Sequence, residues 1–187
     1  GVSLAVVHLL VIGLLRLTGM LSLSVVFALI AVIDIEHRLV LNVVMYPAFA
    51  IAILEVLLSG RDGAIDAFAG YAIAQIVVLG FYLLGHVYLW LVNTRRGEPV
   101  DEVAFGFGDV TLATFCGLVV GYPRVLFMLI LMILFGGLFA LLYVVYRAMG
   151  AREYRAHTPL PYGPSILLAA TIMLLWGREV AQLLGGG

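Results

Sequence analysis

Two aspartates carry the clearest chemistry in a chain with few ionisable side chains. Asp34 closes an apolar run in Ala31-Val32-Ile33-Asp34-Ile35-Glu36-His37-Arg38, and Asp109 opens another in Phe105-Gly106-Phe107-Gly108-Asp109-Val110. Two carboxylates held about 3 Å apart cannot both ionise cheaply, so they share one proton and titrate as a pair. Such a pair can hydrolyse a peptide bond: one member takes a proton from water, the other gives one to the carbonyl oxygen. Taken singly, each residue also has an ordinary reading. Asp34 suits an interfacial position solvated by headgroups, and Asp109 suits a helix N-cap preceded by a glycine turn.

The other polar residues point less sharply. Glu55, Asp66 and Glu179 sit nearer the ends of apolar runs, on the face opposite the two aspartates. His37 could tune a carboxylate pair, although beside Arg38 it reads as a solvated loop residue. Glu98, Asp101 and Glu102 make one acidic, solvated stretch. His8 and His86 lie on apolar segments with no acidic or Cys neighbour and read as packing residues. The single Cys116 can form neither an internal disulfide nor a zinc site. No metal or other cofactor is therefore expected.

The elements that must position these residues are transmembrane helices. Of 187 residues, 64% are apolar and 11% charged, against roughly 45–50% and about 25% in soluble domains. The expected solvent is lipid. A net charge of −1 and the lack of a basic stripe exclude nucleic acid as a partner. Residues 2–15 are apolar without a preceding basic stretch or a following cleavage site, so no cleavable signal peptide is expected.

Reading apolar runs against Gly, Pro and charge punctuation predicts an all-α, polytopic bundle of about seven segments, with six as the alternative count. They are 2–16, 21–35, 43–58, 64–92, 109–122, 124–149 and 163–184, in one domain spanning 1–187. The run 64–92 is too long for an upright span, which predicts a tilt, a kink near Gly80 or Gly85, or a projection into water. Gly117 and Gly121 have the GxxxG spacing that admits a close helix crossing.

Alternate loops differ in Arg content. Arg38, Arg95, Arg96, Arg147, Arg152 and Arg155 fall on one side, and Arg16, Arg61 and Arg124 on the other. The positive-inside rule places the first set in the cytoplasm. Two crossings separate Asp34 from Asp109, so both return to that side, as they must to act on one bond.

Three segments in order resemble the type IV prepilin peptidases. Asp34 followed by Ile35-Glu36-His37-Arg38-Leu39, Asn42 and Pro47 is similar to that family's first aspartate motif. Gly106-Phe107-Gly108-Asp109-Val110, continuing through Leu112-Ala113 to Gly121-Tyr122-Pro123, looks like its GxGD motif. Pro161-Tyr162-Gly163-Pro164 is similar to a third common segment. Together the likeness covers roughly residues 20–180. Family members usually have Pro where this chain has Leu41, and Lys where it has Thr111. Many also carry an insert with two CxxC pairs, linked to methylation of the new substrate N-terminus. Cys116 alone cannot supply those thiolates, so either this is a short form or the upstream part lies outside this chain.

The resemblance implies an intramembrane aspartyl endopeptidase with Asp34 and Asp109 catalytic, acting on prepilin or pseudopilin precursors at the cytoplasmic face of the inner membrane. Gly106 and Gly108 would let backbone approach an extended substrate, and Phe107 would wall the site; a plain glycine turn is the alternative. The helix macrodipole favours negative charge at Asp109, at a helix start, over Asp34, towards a helix end. Asp109 is then the resting carboxylate and Asp34 the acid. Two other classes fit the same residues: a transporter relaying protons through the aspartates, and a catalytically silent assembly factor for a pilus or secretion machine.

Overall fold

The computed structural model describes Val25, Phe27, Leu29 and Ile30, which are helical, and residues 42–58, 60–96, 106–149 and 162–183. These last form five helices: α1 (Asn42–Leu58), α2 (Arg61–Arg96), α3 (Phe107–Val120), α4 (Arg124–Met149) and α5 (Gly163–Leu183). Their bounds follow the predicted segments closely. The expected segment 2–16 lies outside the described residues, and 21–35 is represented by four positions, so the described helices do not establish a count of seven.

Breaks fall where backbone chemistry demands them. Gly60 and Gly121 have φ of 86° and 71°, in the region open to glycine and unfavourable for other residues. Pro123 follows Gly121 in the turn between α3 and α4, and Pro164 occupies the first turn of α5, where an absent N–H is tolerated. α2 runs through Gly80 and Gly85 as one helix, with no break at either glycine. At 36 residues it is about 54 Å long, at ~1.5 Å per residue. Within the described residues, α2 over Arg61–Thr94 and α4 over Arg124–Tyr146 are long and apolar enough to cross a membrane.

The short α3 is the centre of the bundle. Nine of its 14 residues are buried, on every side of the helix, because neighbours surround it. Phe115 is fully buried, with Phe27 edge-on at 6.0 Å and Phe49 of α1 edge-on at 5.1 Å between ring centroids.

α2 and α3 run antiparallel in a register readable residue by residue. The Tyr122 N–H donates to the Asp66 carbonyl at 2.8 Å. Further along, Gly70 lies against Gly117 and Gly121, and Ala74 against Gly117. Then the Thr114 hydroxyl meets Gln75 at 2.9 Å, and the Phe107 ring meets Tyr82. α4 and α5 are likewise antiparallel: Gly177 abuts Arg124, and Gly136 abuts the ring of Tyr162.

Counting along these pairs brings three helix starts to one level. α3 begins opposite Tyr82 of α2, and α5 begins opposite Gly136 of α4. α1 starts seven residues before Phe49 and α3 eight before Phe115, in ring contact, so α1 begins within about a turn of the same level. Beyond that level α2 continues for 14 residues and α4 for 13, each about 20 Å of helix.

The α2–α3 crossing depends on the absence of side chains. A Cβ at Gly117 would lie 2.7 Å from the Gly70 carbonyl oxygen, and one at Gly70 would overlap the backbone of Gly117 and Gly121. Backbone cannot swing aside as a flexible side chain can. Gly70→Ala or Gly117→Ala should therefore lower stability by about 1–3 kcal/mol, the usual range for overpacking. Gly137→Ala, where an added methyl meets open space, should be neutral or mildly stabilising. Thermal unfolding in detergent micelles, monitored by helical circular dichroism, reads both.

Candidate active site

Asp109 is the third residue of α3, half-buried, with the helix cap one turn-start earlier at Gly106. It is thus not the N-cap itself, as its ordinary reading had it. Its Oδ2 reaches back and accepts a hydrogen bond from the Gly106 N–H at 3.2 Å. The Gly106 carbonyl in turn accepts from the N–H groups of Asp109, at 3.1 Å, and Val110, at 3.4 Å. A carboxylate at this position satisfies one of the orphan donors of the helix start and lies where the macrodipole favours negative charge.

Gly106 has φ −80° and ψ 153°, extended backbone that any residue adopts. A Cβ there would come no closer than 3.5 Å to Asp109 Oδ2. The tight glycine turn foreseen from the sequence is therefore not what this backbone requires. Gly108 is half-buried within the first turn, and Phe107 is exposed. The Phe107 ring rests edge-on against Tyr82 at 5.9 Å. Tyr82 also lies against His86, with ring centroids 4.2 Å apart, and the His86 Nδ1 is 3.0 Å from the Tyr82 carbonyl oxygen. His86 is exposed and belongs to this aromatic group, rather than to the packed interior.

Thr111 hydrogen-bonds to its own helix, its hydroxyl donating to the Phe107 carbonyl at 3.1 Å. It brings no positive charge to the place where the resembling proteins usually have Lys. Thr114, almost fully buried, ties α3 to α2 through Gln75 and also lies 2.7 Å from the Val110 carbonyl. Sequence reading passed over Gln75, Tyr82 and Thr114. Gln75 did carry a signal, as an amide within the apolar run 64–92, where a polar group needs a partner.

Of the residues expected to act, Asp109, Gly106, Phe107 and Gly108 come together at the start of α3. Asp34, with His37, Glu98, Asp101 and Glu102, lies outside the described residues. Among the described residues no cluster of three or more His, Cys, Asp or Glu side chains is placed to hold a metal.

Among the described residues, these features define an all-helical protein with two membrane-length helices and a half-buried carboxylate at the start of its central helix. A family model described as the type IV leader peptidase family matches residues 21–141, and the chain belongs to that family. Among its curated relatives is the prepilin leader peptidase/N-methyltransferase of Aeromonas salmonicida, 25% identical over 166 residues, which cover 87% of this chain and 50% of the relative. The protein of the same description from Pseudomonas aeruginosa is 25% identical over 169 residues, covering 90% and 50%. That from Xanthomonas campestris pv. campestris is 23% identical over 164, covering 88% and 52%. The chain spans about half the length of the curated relatives it matches. No solved structure matches it.

Replacing Thr114 with Val should remove its side-chain hydrogen bond from α3 to Gln75 of α2. The expected loss is about 0.6 kcal/mol, and at most about 1.7, the measured range for such bonds in membranes. Asp109→Asn keeps an acceptor oxygen for the Gly106 N–H but not the charge, so it should cost the helix start less than Asp109→Ala, the two spanning about 0.3–1 kcal/mol. Hydrogen exchange at the first turn of α3 ranks the two variants.

Proposed function

We propose that the chain is an integral membrane aspartyl endopeptidase, one transmembrane domain whose catalytic pair is Asp34 and Asp109. It would remove the leader from type IV prepilins, pseudopilins or related precursors on the cytoplasmic side of the inner membrane. Membership of the leader peptidase family and the likeness to prepilin leader peptidases support the peptidase activity and the substrate class. The relatives are named as N-methyltransferases too, but this chain matches only half their length, and its one Cys116 offers no thiolate cluster. The proposal is confined to cleavage.

The observation that carries the pairing is the contact of Phe27 with Phe115. Asp34 follows Phe27 by seven residues, and Asp109 precedes Phe115 by six. Near-equal separations in sequence, on opposite sides of the two rings in chain order, are what the pairing of the carboxylates rests on. α1 adds support, since it begins eight residues after Asp34 near the level where α3 begins.

In the reaction, Asp109 is the resting carboxylate. The Gly106 N–H and the start of α3 both favour its charge. It takes a proton from water, whose oxygen adds to the scissile carbonyl carbon, while Asp34 gives its proton to the carbonyl oxygen. Collapse of the tetrahedral intermediate breaks the C–N bond, and the departing nitrogen takes a proton from the pair. No metal or nucleotide enters this scheme. Phe107 and Tyr82 would form one wall for the substrate, with Gly106 and Gly108 beside its backbone.

The test is cleavage of a synthetic leader-bearing precursor by the protein in liposomes. Asp34→Asn and Asp109→Asn should each reduce kcat by about 10²–10⁴-fold or more, the usual contribution of a general acid or base, with normal insertion. Undiminished cleavage by either variant would exclude the pair. Proton flux through empty liposomes, lost in the same variants, would instead identify a transporter.

A further inference from the structure

Beyond the start of α3, one face of α2 goes on with no α3 residue across from it. Spacings of seven, four and seven put Gln75, Tyr82, His86 and Asn93 on that face. Contacts settle its direction: Gln75 meets Thr114 of α3, and Tyr82 meets the ring of Phe107, the first residue of α3. His86 stands one turn further, about 6 Å along the helix. Between Asp66 and Asn93, α2 carries one amide side chain, Gln75, and one ionisable side chain besides tyrosine, His86. Both lie on this face. Ionisable groups inside an apolar span face the bundle or a polar path rather than lipid, and they mark sites of function. Gln75 is answered by Thr114 at 2.9 Å; His86 is answered only in part.

The imidazole is fixed at one nitrogen. Nδ1 lies 3.0 Å from the Tyr82 carbonyl oxygen, and a carbonyl only accepts, so Nδ1 carries the hydrogen. The Tyr82 ring, 4.2 Å away between centroids, limits its rotation. In the uncharged ring the second nitrogen, Nε2, then has no hydrogen and is an acceptor. The side chain is exposed, and among the described residues Nε2 has no partner. Two ring contacts, of 4.2 and 5.9 Å, connect this imidazole through Tyr82 to Phe107, two residues before Asp109.

We infer that His86 is a substrate-binding residue, whose Nε2 accepts a hydrogen bond from a main-chain N–H of the peptide held at Asp109. This rests on the peptidase reading of Asp109, and it adds a residue that the sequence placed among the packing side chains. A peptide offers such an N–H at every residue except proline. The contact therefore holds precursors of different sequence alike and adds affinity rather than rate. At ~3.3–3.6 Å per extended residue, the step of about 6 Å from Tyr82 to His86 puts the donor within about three residues of the scissile bond.

Cleavage of the precursor in liposomes is compared for two variants. His86→Phe keeps an aromatic ring against Tyr82 but no nitrogen, and His86→Gln keeps a polar group at about the reach of Nε2. His86→Phe should raise KM about 2- to 12-fold, the net worth of one hydrogen bond, with kcat unchanged, as loss of uniform binding requires. His86→Gln should restore most of that loss. Precursors N-methylated at single amides near the scissile bond identify the donor. One of them should show the same rise in KM with the native protein and no further rise with His86→Phe. A native KM for His86→Phe would overturn the inference, as would a penalty that adds in full to that of every N-methylated precursor. Binding of labelled precursor to the Asp109→Asn protein, with and without His86→Phe, gives the same comparison without turnover. Cleavage that survives Asp109→Asn would sink the peptidase reading and leave the effect of His86 on binding measurable, so the two failures are distinguishable.

Discussion

Backbone meets backbone where α2 crosses α3, because Gly70, Gly117 and Gly121 leave nothing between the two chains. In a bilayer, hydrophobic exclusion supplies little force between apolar helices, so close van der Waals contact and buried hydrogen bonds must hold them. The contact also sets register. A slip by one turn would drive the methyl of Ala74 or the side chain of Ala67 into the place of Gly70, where no Cβ fits. Once that register holds, the Thr114–Gln75 hydrogen bond and the Phe107–Tyr82 ring contact fall into line along the same seam. The position of Asp109 along the bundle follows from a crossing about 12 Å away along α3.

A similar device repeats on the other side. Gly136 admits the ring of Tyr162, and Gly177 admits the stem of Arg124, so α5 is aligned with α4 as α3 is with α2. Phe115 joins α3 to the N-terminal part of the chain, through Phe27 and Phe49 of α1. The starts of α1, α3 and α5 thereby share a level, while α2 and α4 pass beyond it. Helix starts carry partial positive charge and unpaired N–H groups. Three at one level make an unusual place within an apolar slab: one suited to a negative charge, and costly to leave without polar company. Asp109 supplies part of that company through Gly106.

For a proteolytic site this arrangement has a chemical logic. Peptide hydrolysis needs water and a charged group, both scarce in hydrocarbon, yet the expected substrate is apolar and membrane-resident. Three short helices begin at a level that α2 and α4 outrun by about 20 Å, so polar helix ends stand beside apolar helix walls rather than at the end of the bundle. The aromatic group of Phe107, Tyr82 and His86 sits at the boundary between these environments. Membership of the leader peptidase family agrees with such a use.

The amino-acid sequence by itself determined the helical class, the element bounds and the residue at which catalysis is sought. Unbroken apolar runs have no other low-energy form in lipid, since every backbone group must find its partner within the segment. The glycines at 117 and 121 announced a close approach, but not with whom. Neither the pairing with Gly70 and Ala74, nor the exposure of His86, nor the shared level of three helix starts was legible there. Lipid and protein interior are equally apolar, so the pattern of hydrophobic residues does not tell a face that meets another helix from one that meets the bilayer. Only the tertiary structure decides that, because partner and depth are settled by shape: which small residues oppose which backbone, and how far one helix outruns the next.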